Sequence, residues 1–175
     1  MKLGGQNILF RALEPSDVDV LYEWENDTEN WLVSNTQSPF SRFVLEQYLA
    51  SAHQDIYSVK QQRFMICRLS DNKPLGTIEL FDFDPNHQRA GIGILIAEKS
   101  ERKKGYASEA IDIMIQYGFE VLNLRQLYCN ITTDNKPSIS LFQKHKFEIS
   151  GNKKQWIRDG KQFKDELILQ RFKQN

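Results

Sequence analysis

Two cysteines in 175 residues are too few to staple a small fold. Cys67 and Cys129 are far apart in apolar, strand-like runs, and neither belongs to a C-x-x-C motif or a Cys/His cluster. They read as reduced core residues of an intracellular protein, with a disulfide left open and no metal site implied. An excess of one charge is also lacking. The 23 basic and 23 acidic residues balance, so the broad positive field of a nucleic-acid binder is not expected. No segment approaches the roughly 20 apolar residues of a membrane span, and the apolar run in MKLGGQNILF is too short for a signal peptide. A cytoplasmic protein with no nucleic-acid or membrane partner is expected. Neither G-x-x-x-x-G-K-[ST] nor G-x-G-x-x-G occurs, which removes two familiar phosphate loops. Repeats, low-complexity tracts and interdomain linkers are missing too, and the length suits one domain spanning 1–175.

The periodicity that is present predicts an alternation of strands and helices. Ile8 to Leu13 reads as a strand, and Glu14-Pro15-Ser16-Asp17 as the start of a helix with Val18, Leu21, Tyr22 and Glu25 on one face. The polar run from Glu25 to Asn30, continued by Trp31, Leu32 and Val33, reads as a connection. Phe43 to Ala52 reads as a helix behind Ser41, with Val44, Tyr48 and Leu49 at helical spacing. Arg63 to Leu69, Leu75 to Phe83 and Arg89 to Ala97 form an antiparallel meander, punctuated by Ser70-Asp71-Asn72-Lys73-Pro74 and Asp84-Pro85-Asn86-His87. The clearest amphipathic helix runs from Gly105 to Leu122, with Ala107, Ile111, Met114, Gly118 and Leu122 as its dry stripe and Glu109, Asp112, Gln116 and Glu120 as its wet one. A strand from Gln126 to Thr133 completes a parallel crossover. A short helix from Asn135 to Lys146 and a hairpin turning at Asp159-Gly160 close the chain.

Arg102-Lys103-Lys104-Gly105-Tyr106-Ala107-Ser108 lies between the crossover's first strand and its helix. A helix N-terminus presents unpaired N–H groups and the positive end of a dipole, so this stretch is suited to an anion. Gly105 permits close backbone approach, Ala107 keeps the first turn free of bulk, and the three cations suit a pyrophosphate.

The R-x-x-G-x-A pattern in this context resembles the R/Q-x-x-G-x-G/A signature of the GCN5-related N-acetyltransferase superfamily. The resemblance extends from about Ile8 to the C-terminus. Tyr117-Gly118-Phe119, Leu122-Asn123-Leu124, Asn135 and Phe147 look like the branch that holds spermidine and ribosomal-protein N-terminal acetyltransferases. It implies an α/β (α+β) fold, with a mixed, mostly antiparallel sheet of about seven strands and helices on both faces. It also implies acetyl-CoA as cosubstrate, a small amine, polyamine or protein N-terminus as acceptor, and direct attack on the thioester; a homo-oligomer is left open. In this family the fourth strand bends away from the fifth, so the main chain of Leu95, Ile96 and Ala97 would pair with the pantetheine arm. Arg102 through Ser108 would hold the pyrophosphate, with Asn135, Ser138 and Phe142 near the cofactor.

Two positions depart from the branch. Phe142 stands where a tyrosine acid is usual, and Gly91 where a strand-four glutamate is usual. These departures leave open a second reading, a non-catalytic CoA-binding or protein-interaction module of the same fold. For an enzyme, Glu79 is the leading base candidate, because alternation puts it on one strand face with Phe81 and near Thr77; a solvent-facing strand residue is the alternative. The proton for the leaving thiolate would come from water or from the amine itself, with Ser138 as a weaker donor four residues from Phe142 on one helix face. His87 is a minor relay candidate among the polar residues Asp82 and Asp84, and His145 reads as a surface residue. Glu25, Asp27 and Glu29 lie in the arm that covers the substrate side in this family and would attract a cationic amine. The segment Ser34 to Pro39, where the spermidine branch carries an acidic loop, has no carboxylate.

Overall fold

A computed structural model describes residues 3–34 and 36–174, with the side chain at position 33 also outside the description. The chain divides into two compact units, Met1–Arg11 with Ile56–Asn175, and Ala12–Asp55.

The larger unit holds all seven strands: β1 (Ile8–Arg11), β2 (Gln62–Arg68), β3 (Pro74–Asp84), β4 (Arg89–Ile96), β5 (Gln126–Thr132), β6 (Glu148–Asp159) and β7 (Gln162–Phe172). They form one sheet in the order β1-β2-β3-β4-β5-β7-β6, antiparallel except between β4 and β5. The mixed, mostly antiparallel sheet expected from the sequence is therefore present. Helices are numbered α1 to α6 along the chain, and this unit contains α4 (Ile56–Val59), α5 (Tyr106–Gln116) and α6 (Lys136–Lys144). Period-two alternation sends Ile78, Leu80, Ala90, Ile92, Leu127 and Cys129 into a core shared with Ala110, Ile111 and Met114 of α5. Both cysteines are buried, and neither is in a disulfide.

Helix α5 stops sooner than its periodicity suggests. After Gln116 the chain makes a π turn over Tyr117–Val121, with Leu122 N–H donating to Tyr117 O at 3.1 Å. A Cβ at Gly118 would lie 3.2 Å from Leu127, so the small residue lets this turn pack on β5. Glu109, expected on the wet stripe, instead accepts from the backbone and side chain of Asn7 at 2.8 and 3.0 Å.

The smaller unit holds a 3-10 turn (Pro15–Asp17), α1 (Val18–Glu25), α2 (Thr28–Ser34) and α3 (Arg42–Ser51). Helix α2 replaces the expected connection. Asp27 starts it locally: its side chain accepts from Glu29 N–H at 3.0 Å and its carbonyl from Asn30 N–H at 2.9 Å. A polar run without apolar periodicity hides such a helix. Ser41 caps α3 as expected, accepting from Val44 N–H at 3.2 Å. The buried residues of α1 and α3 are Leu21 and Trp24, and Leu45 and Leu49; Val44, expected inside, is exposed. Asn26 clamps Phe40 through bonds of 2.8 and 3.0 Å. Asn35, within the carboxylate-free segment noted above, lies outside the described residues.

Candidate active site

The anion loop is built from its own backbone. A 3-10 turn (Lys99–Glu101) leads into Lys103 at φ 63° and Gly105 at φ 89°. Gly105 is the N-cap of α5 and contributes no side-chain cap, and the first backbone bond is Glu109 N–H to Gly105 O at 3.1 Å. The N–H groups of Tyr106, Ala107 and Ser108 therefore lack acceptors within the helix. A Cβ at Gly105 would meet no protein atom within 4 Å.

The cations of the loop are deployed differently from the simple expectation. Lys104 donates to the buried carboxylate of Glu101 at 2.9 Å, and Arg68 donates to the same group at 3.0 Å. The Lys104 ammonium, with Arg68 and Lys73 beyond it, holds the Glu101 carboxyl below the ordinary carboxylate range. Arg102 Nε donates to Ile96 O at 2.8 Å. Lys104 thus secures the back of the loop, and Arg102 ties it to β4.

His145 corrects the sequence reading: it is 6 % exposed rather than a surface residue. Its Nδ1 lies 2.8 Å from Asp112 Oδ1, and its Nε2 lies 2.9 Å from Ser108 Oγ. In the neutral imidazole the carboxylate requires the proton on Nδ1, so Nε2 accepts from the Ser108 hydroxyl. Lys144 donates to the same hydroxyl at 3.0 Å, and Arg171 to His145 O at 2.6 Å. These contacts fasten the first turn of α5 to the end of α6. The sequence signal for this was the pair Ser108 and Asp112, four apart on one helix face.

Strands β4 and β5 pair through Arg89↔Gln126, Ala90↔Leu127 and Gly91↔Tyr128, and the ladder ends there. Beyond it β4 continues against β3, with Leu95 opposite Thr77 and Ile96 opposite Gly76, while β5 continues against β7. Ala97 N–H donates back to Leu75 O at 2.9 Å. The two strands part as a wedge whose apex is Gly91 and Tyr128.

One face of this apex carries the polar chemistry. Phe81 covers Gly91 so closely that a Cβ there would lie 2.3 Å from the ring. The position that carries a glutamate in the related branch is thus filled by an aromatic ring from β3. Tyr128 meets Phe81 edge-on at 5.8 Å and 80°, and its hydroxyl donates to Asp82 Oδ2 at 3.2 Å. Burial, reinforced by the Asp82 charge, pushes the phenol up to about 12. Asp82 sits at φ 48° in the irregularity between Phe81 and Asp84. Glu79 accepts from Gln61 Nε2 at 2.5 Å and lies across Gly93, where a Cβ would be 3.1 Å from Oε1. Asp84 is held below the ordinary carboxylate range, first by the His87 N–H and then by nearby cationic charge that includes Arg89. Beside the apex a cavity of about 790 Å³ is lined by Asp82, Asp84, Arg89, Gln126, Tyr128 and Gln170 among others.

Among the described residues, none from α6 lines this cavity. Asn135 caps the helix, accepting from Ser138 N–H at 3.2 Å. Phe142 is 3 % exposed and meets Phe147 edge-on at 5.1 Å. Sequence reasoning singled out Glu79 but missed Tyr128 and Phe81 as parts of the apex. The polar alternation Gln126, Tyr128, Asn130 along β5 was the available signal.

A helix N-terminus for a pyrophosphate, beside a wedge of unpaired strand for an amide-bearing arm, is the frame an acyl-CoA needs. The family model for the acetyltransferase (GNAT) domain matches residues 7–148. Escherichia coli spermidine N(1)-acetyltransferase is 28% identical over 149 residues, covering 83% of this chain and 75% of its own. An N-acetyltransferase 9-like protein of Nematostella vectensis is 30% identical over 152 residues, covering 81% and 75%. The structure of Vibrio cholerae spermidine N-acetyltransferase with CoA and spermine superposes with a TM-score of 0.84 at 22% identity, covering 94% of this chain and 95% of that one; the same enzyme has also been solved as a dodecamer. The chain belongs to the GNAT acetyltransferase family. It is an acetyl-CoA-dependent N-acetyltransferase acting on an amine. Among the described residues no helix is long and apolar enough to cross a membrane, and no cluster suited to a metal ion occurs.

Proposed function

We propose that the acceptor is a small cationic primary amine, which after losing a proton attacks the thioester carbon directly at the apex of the β4–β5 wedge. The observation that carries this reading is the pair of carboxylates at the apex face, Glu79 across Gly93 and Asp82 on the Tyr128 hydroxyl at the edge of the cavity, while Asp84 is paired with Arg89 and Lys60 also lines the cavity. Carboxylates at a cleft mouth concentrate cations. Acetyl-CoA lies with its pyrophosphate on Arg102–Ser108 and its pantetheine arm along the main chain of Leu95, Ile96 and Ala97, and Asn135, Ser138 and Phe142 flank it from α6. Glu79 takes the proton that converts the bound ammonium into a nucleophile; Ser138 is a subsidiary donor. Relatives named for spermidine support the polyamine end of the class, while the carboxylate-free segment Ser34 to Pro39 favours shorter amines. Residues 1–175 act as one catalytic domain in the cytoplasm, in a homo-oligomer as the dodecameric relative suggests.

A thiol-release assay over diamines, polyamines, monoamines and N-terminal peptides tests the acceptor class. Turnover confined to small cationic amines is expected. Turnover confined to peptides overturns the reading and transfers the role to a protein N-terminus.

A further inference from the structure

The branch's tyrosine position on α6 is a phenylalanine shut against Phe147, and its strand-four glutamate position is covered by Phe81. The apex nevertheless holds a phenol and a carboxylate in contact. From this geometry we infer that Tyr128 and Asp82 form the proton-handling pair of the transfer, with Asp82 receiving the acceptor's ammonium and Tyr128 protonating the leaving sulfur. The inference rests on the placement of acetyl-CoA proposed above.

Three observations locate the pair at the reacting atoms. An arm entering from the loop at Arg102–Ser108 and running antiparallel to the course of β4 passes Ile96 and reaches Gly91 after five residues, about 17 Å at strand spacing. There it must stop, because β5 closes the wedge at the Gly91↔Tyr128 pair. The thioester is therefore delivered beside Tyr128. Second, the Tyr128 ring is fixed edge-on against Phe81, which itself lies on Gly91, so the phenol is positioned by packing on two strands. Third, Asp82 adopts φ 48°, a left-handed conformation that aspartate tolerates, at an irregularity in the ladder between β3 and β4 that turns its side chain out of the strand's alternation. Its carboxylate reaches both the phenol and the cavity.

The resting bond from Tyr128 to Asp82 occupies the single phenolic proton. An ammonium arriving at Asp82 supplies a competing, charged donor and releases that proton to point into the wedge. Tyr128 carries its proton at neutral pH as any phenol does; burial and the Asp82 charge make it a weaker acid, so its transfer to sulfur is completed by the proton that Asp82 returns. The ammonium loses one proton to solvent through Glu79, and the neutral nitrogen attacks the thioester carbon, forming the C–N bond. The second nitrogen proton passes to Asp82 as the C–S bond breaks, and the sulfur takes the proton of Tyr128. Asp82 then returns its proton to the phenolate. The products are the N-acetyl amine, the CoA thiol and one proton released to solvent.

Tyr128→Phe preserves the ring against Phe81 and removes the hydroxyl. With the best acceptor found in the amine and peptide panel, kcat should fall about 10- to 100-fold, the lower part of the usual range because a thiol is a fair leaving group. The dissociation constant for acetyl-CoA, read by calorimetry, should stay within about twofold, the signature of an interaction made at the transition state. Asp82→Asn keeps a residue that tolerates positive φ and should both raise KM for cationic amines, by about tenfold or more, and lower kcat, since an amide can neither take the second nitrogen proton nor return one to the phenolate. A Tyr128→Phe enzyme with wild-type kcat, when single-turnover kinetics show chemistry to be rate-limiting, overturns the pair and leaves the acceptor reading untouched. A Tyr128→Phe loss that appears equally in acetyl-CoA affinity overturns it as well, by assigning the hydroxyl to binding. A panel with turnover on peptides alone overturns the acceptor class, and with it the ammonium role of Asp82.

Discussion

The two ends of the β4–β5 wedge are built from different materials. At the open end the loop from Arg102 to Ser108 offers main-chain N–H groups, and its side chains largely hold the loop itself: Lys104 on Glu101, Arg102 on Ile96, Ser108 on His145. At the closed end Phe81, Asp82, Gly91 and Tyr128 come from three strands, and the side chains of Phe81, Asp82 and Tyr128 pack and bond over the glycine. On the placement proposed above, the cofactor is met mainly by backbone and the acceptor by side chains. Damage at the open end should therefore appear in cofactor affinity, and damage at the closed end in turnover.

The largest effect is expected at Gly105. Replacement by valine imposes a side chain on φ 89°, at a cost of about 1–3 kcal/mol, and points its Cβ into the space a phosphate must approach. Acetyl-CoA affinity should drop roughly tenfold or more by calorimetry, and unchanged affinity would remove the loop from the site. Gly91→Glu comes next. Restoring the branch's residue drives a Cβ into the Phe81 ring at 2.3 Å, so denaturant unfolding should show a loss of about 1–3 kcal/mol and turnover should fall. A gain in turnover would mean that Phe81 yields and that the closed end is not side-chain packed in the way described.

His145→Ala sharpens the contrast from the other side. It removes the buried ring that joins Ser108 to Asp112, leaving Ser108 on Lys144 and Asp112 to solvent, and should cost about 1 kcal/mol of stability, with acetyl-CoA affinity weakened and kcat at saturation preserved. A kcat defect at saturating cofactor would join the two ends that the comparison separates. The phenol at the closed end also gives a pH signature. Because the Tyr128 pKa is raised to about 12 in the folded protein, against about 10 in the unfolded chain, its contribution to stability is complete below about pH 10 and is lost as the pH rises toward 12. Alkaline unfolding curves of wild type and Tyr128→Phe should differ in that window, and coincident curves would show an unperturbed phenol.

The smallest effect belongs to Phe142→Tyr. Family resemblance alone favours a rise in turnover from the added acid. The ring is instead 3 % exposed and set against Phe147, and with Tyr128 supplying the proton, turnover should change by less than about twofold while the new hydroxyl costs some stability. A tenfold rise would return the acid to α6.

Legibility followed the range of the interactions. The strand–loop–helix unit from Arg89 to Gln116 could be read because alternation, a helical stripe and a glycine in a short motif are local facts. Even the capping roles of Ser41 and Asn135 were local enough to read. Helix α2 escaped because its start depends on Asp27 bonding within a polar run, where apolar periodicity gives no signal. His145 was misread because its burial depends on α6 meeting α5, thirty-three residues away from Asp112.

The sequence by itself determined the strand–loop–helix unit around Gly105, since hydrophobic period and backbone chemistry act between near neighbours, and through its resemblance to the family it implied the mixed sheet of about seven strands. Tertiary structure alone decided that β4 and β5 part at Gly91, that Phe81 rather than an acid fills the space there, and that Tyr128 meets Asp82. Those contacts depend on register between strands and on one irregular residue at φ 48°. A shift of one position would turn each side chain to the opposite face of the sheet.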